Sequence, residues 1–324
     1  MQVVSVNISS KKGTVKHPVR EAVIDRHGVV GDAHAGPWHR QVSLLSVEII
    51  SEFEKEIGRK IAVGEFAENI TVSGIDLRKV APLDRFLIGD IELEVTQIGK
   101  ACHGAACAIF KEVGKCAMPE EGIFCRVLKG GRISAGMPAK HVERKLLILL
   151  ITMSDRASRG EYEDRSGPRM RQLLEQFFSS RRWHPRIDAE IQEDSADLLE
   201  NRLKRAKQEG IDAVFTTGGT GVGPRDITPD VVAALADRQI PGIMEHIRSK
   251  YAGTNANALL SRGIVGIIGN MLVYTLPGSV RAVDEYLGEI FKTLEHVILM
   301  IHSIDSHSHA PSSRSARDTA RLPG

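Results

Sequence analysis

The sequence predicts two domains of different fold class, a mostly-β barrel followed by a doubly wound α/β domain with a mostly parallel sheet. The chain has 324 residues, enough for two domains that each bury a core. In the first half, short alternating apolar segments are separated by turn residues, as is typical of β-rich domains. In the second half, apolar runs alternate with helical patterns, which indicates parallel strands covered by helices.

The first domain is expected to span residues 1–143 and to contain few helices. Apolar residues at Val47, Ile49, Ile50 and Phe53 have helical spacing, so one helix is predicted over residues 46–56. Alternating apolar residues predict strands at 2–6, 20–24, 42–45, 69–72, 86–88 and 91–97. Many short strands with one helix favour a barrel.

The second domain is expected to span residues 146–303, after a short charged junction at 141–145. Residues 146–152 are almost continuously apolar, as a strand buried on both faces requires. The alternating pattern predicts strands at 146–153, 186–191, 211–217, 264–268 and 272–276, and helices at 166–179, 195–209, 228–237, 242–251 and 280–302. Ligands of such sheets bind outside the carboxyl ends of the strands.

Composition and charge narrow the class of protein. Lys and Arg total 43 and Asp and Glu total 41, so the net charge is close to zero, which argues against a dedicated nucleic-acid binder. No apolar run reaches the roughly 18–20 residues that span a bilayer, and the first residues do not resemble a signal peptide. We therefore expect a cytoplasmic protein without a membrane partner. Residues 304–324 lack apolar periodicity and are expected to be disordered.

The segment 216–230 reads Thr-Thr-Gly-Gly-Thr-Gly-Val-Gly-Pro-Arg-Asp-Ile-Thr-Pro-Asp and joins a predicted strand to a predicted helix. Thr228 suits the helix cap and Pro229 the first helical position. Glycine N–H groups and threonine hydroxyls can bind an anion here, which makes candidates of Thr217, Gly218, Gly219, Thr220 and Gly221. Asp226 suits a metal ion better than a phosphate. The segment is neither a Walker A loop nor a GxGxxG fingerprint, and the alternative interpretation is a plain glycine-rich turn.

Three further clusters follow predicted strands at the same edge of the sheet. The first comprises Ser154, Asp155 and Arg156, where Arg156 either contacts phosphate or forms a surface ion pair. In the second, Asp194 or the adjacent Ser195 caps the next helix, a role that does not exclude catalysis. The third, Pro277, Gly278 and Ser279, opens a helix with free N–H groups and is a second candidate anion site.

The string TTGGTGxGxRDxTPD, with the Ser154–Ser158 and Leu276–Ser279 segments, resembles the molybdopterin adenylyltransferase family. The resemblance implies an α/β fold of the molybdopterin-binding type and Mg²⁺- and ATP-dependent adenylylation of molybdopterin. It also implies that the two functionally important aspartates of the family are Asp194 and Asp226, which would contact Mg²⁺. Members of this family generally form trimers, so a homotrimer is expected.

Motifs in residues 28–45, 64–71, 99–103 and 122–128 resemble the MOSC domain, over roughly residues 3–140. The resemblance implies a β-barrel with a pocket for molybdenum cofactor or its pterin, and a functional cysteine. His34, His39 and Arg40 are candidates for lining the part of the pocket that holds the pterin phosphate, although each is equally compatible with a solvated loop.

Four cysteines fall in one short stretch, with the spacing C-x4-C-x8-C-x8-C. Cys102 matches the family's cysteine position best, and the nearby Lys100 and His103 favour its thiolate, so it is the candidate for contacting sulfur or molybdenum. Cys107 and Cys116 are second choices, and Cys125 lies in an apolar strand and is expected to be buried and inert. Structural zinc is the alternative, although the tight cysteine pairs of zinc knuckles are missing.

The sequence leaves two functions from different classes open. In the first, the second domain adenylylates molybdopterin while the first domain binds molybdenum cofactor or pterin, or carries sulfur. In the second, both domains bind and hand on the cofactor without chemistry. The intact aspartates favour the enzyme, and release of pyrophosphate from ATP distinguishes the two.

Overall fold

The structure, a computed structural model, describes residues 1–100 and 116–304. These residues divide into two compact units, one formed by Met1–Arg144 together with Ile304 and the other by Lys145–Ser303. Within the described ranges, no helix has the length and apolarity required to cross a membrane.

The first unit is built on an eight-stranded sheet with the order β11-β7-β8-β9-β5-β6-β1-β2. Its pairs are antiparallel except β5 with β6, which is parallel. The strands are β1 (Gln2–Ile8), β2 (His17–Val19), β5 (Val42–Ser46), β6 (Ile70–Ser73), β7 (Arg85–Ile88), β8 (Ile91–Ile98), β9 (Ile123–Lys129) and β11 (Ala139–Val142). A smaller sheet has the order β10-β3-β4, formed by Gly131–Ser134, Glu21–Asp25 and Gly28–Val29.

The helix predicted at residues 46–56 is α1, Val47–Ile57. Ser46 caps it by accepting a hydrogen bond from Ile49 N, and Gly58 ends it in the left-handed region with φ 74°. Ile49 and Ile50 are buried in the core of the unit. The predicted helix and its apolar face are confirmed.

The barrel expected for this unit is only partly shown. Among the described residues the ladders give an open order that ends in β11 and β2, so the unit is sheet-rich and its closure is not established. The division between the two units falls inside the charged stretch at 141–145, after Arg144, although His141 still lies within β11 and pairs with Phe86 of β7. A short edge strand with polar side chains resembles a linker in sequence, since only one of its faces contacts apolar neighbours.

The second unit contains a six-stranded sheet with the order β13-β12-β14-β17-β16-β15. The first four strands are parallel: β12 (Leu146–Met153), β13 (Pro185–Gln192), β14 (Ala213–Thr217) and β17 (Met271–Leu276). The antiparallel edge consists of β16 (Val265–Ile268) and β15 (Arg238–Gln239). The sheet is therefore mixed but mostly parallel, as predicted.

Helices cover both faces of this sheet. They are α2 (Asp155–Ser158), α3 (Ser166–Ser179), α4 (Ala196–Gln208), α5 (Thr228–Leu235), α6 (Pro241–Ala252), α7 (Val280–Ile290) and α8 (Leu294–Ile301). On one face, Leu149 and Ile151 of β12 share a core with Leu199 of α4 and Val232 of α5. The alternate side chains of β12 point to the opposite face, where α3 contacts β12 and α7. The doubly wound α/β class is thus confirmed.

The single helix predicted at residues 280–302 is wrong, because the structure has α7 and α8 with a break at residues 291–293. Phe291 ends α7, and its ring stacks on Phe177 at a centroid distance of 4.3 Å. The apolar pattern continues through the break, so the periodicity gave no sign of it.

The strand order places a crevice between β12 and β14. In the sheet, β13 lies on one side of β12 and β14 lies on the other. The connection after β12 leads to β13, and the next connection crosses back over β12 to β14. The crevice therefore lies at the carboxyl ends of β12 and β14, where the connections leave in opposite directions. In open α/β sheets this topological switch point is where ligands bind. The register pairs Thr152 with Thr217, Met153 with Gln192, and Thr217 with Leu276, so all four parallel strands end at one edge.

Candidate functional site

The glycine loop, residues 218–226, begins where β14 ends. Gly218 has φ 101°, and a Cβ atom there would overlap the carbonyl oxygen of Met153, so only glycine lets the loop cross the end of β12. A Cβ atom on Gly221 would lie 2.7 Å from Asp226 Oδ2. The glycines therefore permit a close approach of backbone to backbone and of backbone to carboxylate.

Asp226 closes the loop on itself. Its Oδ2 accepts a hydrogen bond from Gly223 N at 2.8 Å, and its own N–H donates to Gly223 O at 3.0 Å. The N–H of Gly218 donates to Leu276 O at 3.0 Å and is therefore not available to a ligand, in contrast to the expectation for this residue. Of the three glycines predicted to bind an anion, only Gly219 and Gly221 therefore stay candidates for donating a backbone N–H to it.

Asp155 and Asp194 lie on neighbouring loops and are tied together reciprocally. Asp155 N donates to Asp194 Oδ2 at 3.2 Å, and Asp194 N donates to Asp155 Oδ1 at 3.1 Å. Ser195, rather than Asp194, caps α4 by accepting from Leu198 N at 3.4 Å. Partial burial and the negative charge of Asp226 raise the pKa of Asp194.

These groups line one open cleft with a volume of about 330 Å³. Its lining contains three carboxylates and three arginines, namely Asp155, Asp194, Asp226, Arg156, Arg159 and Arg225, together with Met153, Ser154 and Gly219. Arg225 forms an ion pair with Asp155 and so joins the glycine loop to the loop after β12. Arg156 lies over the ring of Tyr162, 5.3 Å from its centroid. The cleft is therefore highly charged and suits a phosphorylated ligand better than an apolar one.

The hydroxyl groups predicted at the site have structural partners. Ser154 caps α2 by accepting from Ala157 N at 3.2 Å, and Ser279 caps α7 by accepting from Ala282 N at 3.2 Å. Thr217 is fully buried, and its hydroxyl donates to Pro277 O at 3.0 Å, which corrects the expectation that it binds phosphate. Thr220 is buried as well.

The loop after β17 packs directly on the glycine loop, because a Cβ atom on Gly278 would lie 3.3 Å from Gly218 Cα. Thr228 is the first residue of α5 rather than its cap, and its hydroxyl donates to Gly218 O at 3.1 Å. The hydroxyl of Thr228 therefore holds the glycine loop, while that of Thr217 holds the adjoining loop after β17.

Arg262 is a residue of this site that no sequence motif indicated. Its Nε donates to Gly221 O at 2.7 Å, and its guanidinium also bonds Asp226 O and, at 2.8 Å, Asp230 Oδ1. It lies in the loop before β16, which the sheet order brings beside the glycine loop. An isolated Ser-Arg-Gly carries no sequence signal for this role.

Asp164 is a second residue near this site that the sequence analysis did not single out. It accepts from the Thr152 hydroxyl at 2.7 Å and from the N–H groups of Ser166 and Gly167 at 3.0 Å, and thereby fixes the start of α3 beside the end of β12. An acidic residue just before a predicted helix is a recognisable capping signal, so this residue was within reach of sequence reasoning.

In the first unit, His34 belongs to a buried ionic cluster that we call the Lys16 cluster, formed by Lys16, Asp32 and His34. The side chains of Lys16 and Asp32 are each 1% exposed and form an ion pair, while His34 Nδ1 lies 3.3 Å from Lys16 Nζ and 3.5 Å from Asp32 Oδ1. Burial lowers the pKa of Lys16 and of His34. Burial alone would raise the pKa of Asp32, but hydrogen bonding by His34 and the charge of Lys16 outweigh it and lower that pKa.

Arg40 lies in a group of cations and aromatic rings. Its guanidinium is 4.8 Å from the centroid of Trp38 and 6.0 Å from that of Phe124, and Lys100 Nζ is 5.8 Å from the Phe124 centroid. Within the described part of the chain, Arg40 Nε is buried without a hydrogen-bond partner. Burial lowers the pKa of Arg40, because removal from water disfavours the charged guanidinium.

The cysteine predictions are tested only in part. Cys102, Cys107 and His103 lie outside the described residues. Cys125 is fully buried, and burial raises the pKa of its thiol well above the ordinary value, in agreement with an inert role. Cys116 is half-buried. In the ranges 1–100 and 116–304, no group of three or more His, Cys, Asp or Glu side chains is arranged to hold a metal ion.

Comparison with known proteins assigns both units to families. The family described as "Probable molybdopterin binding domain" matches residues 149–296, and the MOSC domain family matches residues 31–140. The molybdopterin adenylyltransferase of Haemophilus influenzae is 37% identical over 143 residues, which are 44% of this chain and 71% of that protein. The chain thus combines a MOSC domain with an α/β domain of the molybdopterin-binding class. Through that second domain, it belongs to the molybdopterin adenylyltransferase family.

Other similar proteins extend over different lengths. The molybdenum cofactor synthesis protein cinnamon of Drosophila melanogaster is 32% identical over 178 residues, which cover 54% of this chain but only 29% of cinnamon. A solved structure of MogA is 32% identical, covers 48% of this chain and 99% of that chain, and has a TM-score of 0.45.

Proposed function

We propose that the second domain transfers AMP from ATP to the terminal phosphate of molybdopterin and releases pyrophosphate. The observation that carries this proposal is the meeting of the glycine loop with Asp155, Asp194 and Asp226 in one cleft at the topological switch point of the sheet. The family to which the domain belongs includes proteins named molybdopterin adenylyltransferase.

The cleft offers groups of both signs to a phosphorylated substrate. The N–H groups of Gly219 and Gly221 provide donors for phosphate oxygens, and Ser154 and Ser279 mark helix ends that face the same edge of the sheet. Arg156 and Arg225 bring positive charge to the mouth. When a phosphate enters, Arg225 can leave its ion pair with Asp155 and bind the phosphate instead. The carboxylate of Asp155 then becomes available inside the cleft.

The residues present fit Mg²⁺ as the metal that accompanies ATP. Asp194 and Asp226 are close enough for the charge of Asp226 to raise the pKa of Asp194, and a divalent cation relieves that repulsion. Mg²⁺ is commonly held by one or two carboxylates together with substrate phosphates and water, which agrees with two aspartates rather than a full protein cage. When bound, Mg²⁺ neutralises charge on the transferring phosphate.

The reaction is an in-line displacement at the α-phosphorus of ATP. A terminal phosphate oxygen of molybdopterin forms the new bond to phosphorus while the bond to the bridging oxygen breaks, and pyrophosphate leaves with those electrons. Such transfers depend mainly on positioning and charge stabilisation. Asp226 would hold Mg²⁺ or orient the attacking phosphate, and Asp194 would fix the substrate or the metal.

For the first domain, we propose that it binds molybdenum cofactor or its pterin, or carries sulfur on Cys102. Arg40 and Lys100 beside Trp38 and Phe124 form a surface that suits a planar anionic ligand, and His34 belongs to the neighbouring Lys16 cluster. The isolated bridge between Gln2 and Pro138 supports closure of the sheet into a barrel. A homotrimer is proposed on the family resemblance, and a cytoplasmic location stays the expectation from the sequence.

Incubation of the protein with ATP, Mg²⁺ and molybdopterin tests the proposed enzyme against a carrier that only binds cofactor. The enzyme releases pyrophosphate only when all three components are present, and chelation of Mg²⁺ stops the release. A protein that binds molybdopterin stoichiometrically but leaves ATP intact is a carrier.

A further inference from the structure

We propose that Arg262 is the positioning residue that fixes the glycine loop and, through the loop, the carboxylate of Asp226. The part of this inference that concerns activity rests on the function proposed above. Arg262 is absent from the lining of the cleft, so it acts through other residues rather than on the substrate.

The contacts of Arg262 reach both ends of the tip of the glycine loop, residues 221–226. Nε bonds Gly221 O at 2.7 Å, one terminal nitrogen bonds Asp226 O, and the other bonds Asp230 Oδ1 at 2.8 Å. In addition, the backbone N–H of Arg262 donates to Thr220 O at 2.8 Å. One residue therefore determines how far apart the two ends of the tip are held, and it ties both to the start of α5.

Asp226 needs this support because its carboxylate is repelled by the like charge of Asp194. Its neighbour Asp194 has a pKa raised by burial and by the charge of Asp226. The guanidinium of Arg262 bonds the loop without lining the cleft. Hydrogen bonding to Asp230 raises the pKa of Arg262 most, and the charges of Asp230 and then Asp226 add to this. A cation on the outer side of the loop offsets the repulsion inside the cleft without occupying the place of a ligand.

The planar guanidinium is suited to this task, and lysine is not. The three side-chain bonds of Arg262 leave from different nitrogens in a fixed fork, whereas an ammonium group is a single point on a flexible stem. Arg262→Lys keeps the charge but cannot reach Gly221 O, Asp226 O and Asp230 together. The variant thus separates the role of geometry from the role of charge.

Arg181 provides the matched control. Its side chain is 36% exposed compared with 38% for Arg262. Like Arg262, it bonds a carboxylate, that of Glu295, and backbone carbonyl oxygen, although it bonds only that of Phe177 where Arg262 bonds two. It follows α3 near the amino ends of the strands, at the edge opposite the cleft. Arg181→Lys disturbs a surface contact of the same kind without touching the glycine loop.

The first measurement is hydrogen exchange of the full chain, which does not depend on any activity. In Arg262→Lys, amide exchange in residues 219–228 should rise about tenfold or more, because local opening becomes easier, while Arg181→Lys leaves these residues as in the wild type. Unchanged exchange in Arg262→Lys overturns the proposal, whether or not the protein adenylylates molybdopterin.

The second measurement is a double-mutant cycle on pyrophosphate release. Arg262→Lys should lower kcat about 10–100-fold, as small misplacements of reacting groups do, with KM for ATP changed less than about threefold. Added to Asp226→Asn, the same substitution should cost little more, because residues that act as a unit are non-additive. Full additivity contradicts action through Asp226. A wild-type protein without pyrophosphate release refutes the proposed function and leaves the exchange result to decide on Arg262.

Discussion

The two units use buried and clustered charges in opposite ways. In the first unit, the Lys16 cluster pairs a cation with a carboxylate, and both side chains are 1% exposed. In the second unit, Asp194 and Asp226 face the same open cleft with like charge. The fold itself neutralises the paired, enclosed cluster. The like-charged pair in the cleft accepts backbone hydrogen bonds but keeps a mutual repulsion, which a bound cation would relieve. The difference agrees with a structural role for the Lys16 cluster and with the catalytic role proposed for the two aspartates.

The largest effect is expected from breaking the paired cluster. Lys16→Met leaves Asp32 buried without its main counter-charge, which should lower the free energy of unfolding of the first unit by about 3–5 kcal/mol. The chain has two tryptophans, Trp38 in the first unit and Trp183 in the second, so Trp183→Phe leaves one reporter for chemical denaturation. Lys11→Met on the exposed loop is the control. Equal stability of both variants would show that the ion pair is not structural.

The next effect concerns the like-charged pair. Asp226→Asn keeps the shape of the side chain but removes the charge, so pyrophosphate release should fall at least about 100-fold, similar to the loss of one transition-state contact. The melting temperature should stay close to that of the wild type. Near-normal turnover by a folded variant would rule out this role of Asp226.

A smaller effect is expected between two thiols of the first half of the chain. Cys102 should react with iodoacetamide at least about tenfold faster than Cys125 at neutral pH, because a thiolate reacts and a thiol does not. Burial raises the pKa of Cys125, which keeps it protonated. Mass spectrometry of the labelled peptides measures both rates, and bound molybdenum cofactor should slow only Cys102. Equal labelling, unchanged by cofactor, would leave Cys102 an ordinary thiol.

The smallest effect is a gain in stability from Asp194→Asn. A carboxyl whose pKa is raised on folding destabilises the folded state when it is ionised, so its removal should stabilise the protein at neutral pH by less than about 1 kcal/mol, since the group is partly exposed. The gain should disappear as the pH falls below the ordinary value of 3.8, where both states are protonated. Denaturation followed through Trp183 in a Trp38→Phe background measures it. A loss of stability at neutral pH would mean that Asp194 is paired rather than repelled.

Much of the second domain could be predicted from the sequence, because its strands are buried on both faces and its helices carry strong periodicity. Residues 146–153 and 166–179 match β12 and α3 at both ends. The first domain was harder, since β2 and β4 have three and two residues and are too short to show alternation. The break between α7 and α8 escaped for a different reason, because apolar residues continue through it.

The candidate site was predictable in its motifs but not in its internal bonds. The glycine string and the aspartates stand out in the chain, whereas the partners of Thr217 and Gly218 lie at the end of β17 and in the loop after it, some 60 residues away along the chain. The same holds for Arg262, which only the antiparallel edge of the sheet brings to the glycine loop. Sequence spacing reports local chemistry, and contacts between distant loops need the fold.

The fate of the α-phosphate of ATP tests most directly whether the like-charged cleft performs adenylyl transfer. In a single turnover with ATP labelled at the α-phosphorus, Mg²⁺ and molybdopterin, the label should move to molybdopterin in step with pyrophosphate release. Lys11→Met should behave as the wild type, and Asp226→Asn should leave the label on ATP. Label that stays on ATP in the wild type, or that appears only as free AMP, would contradict adenylyl transfer by this cleft.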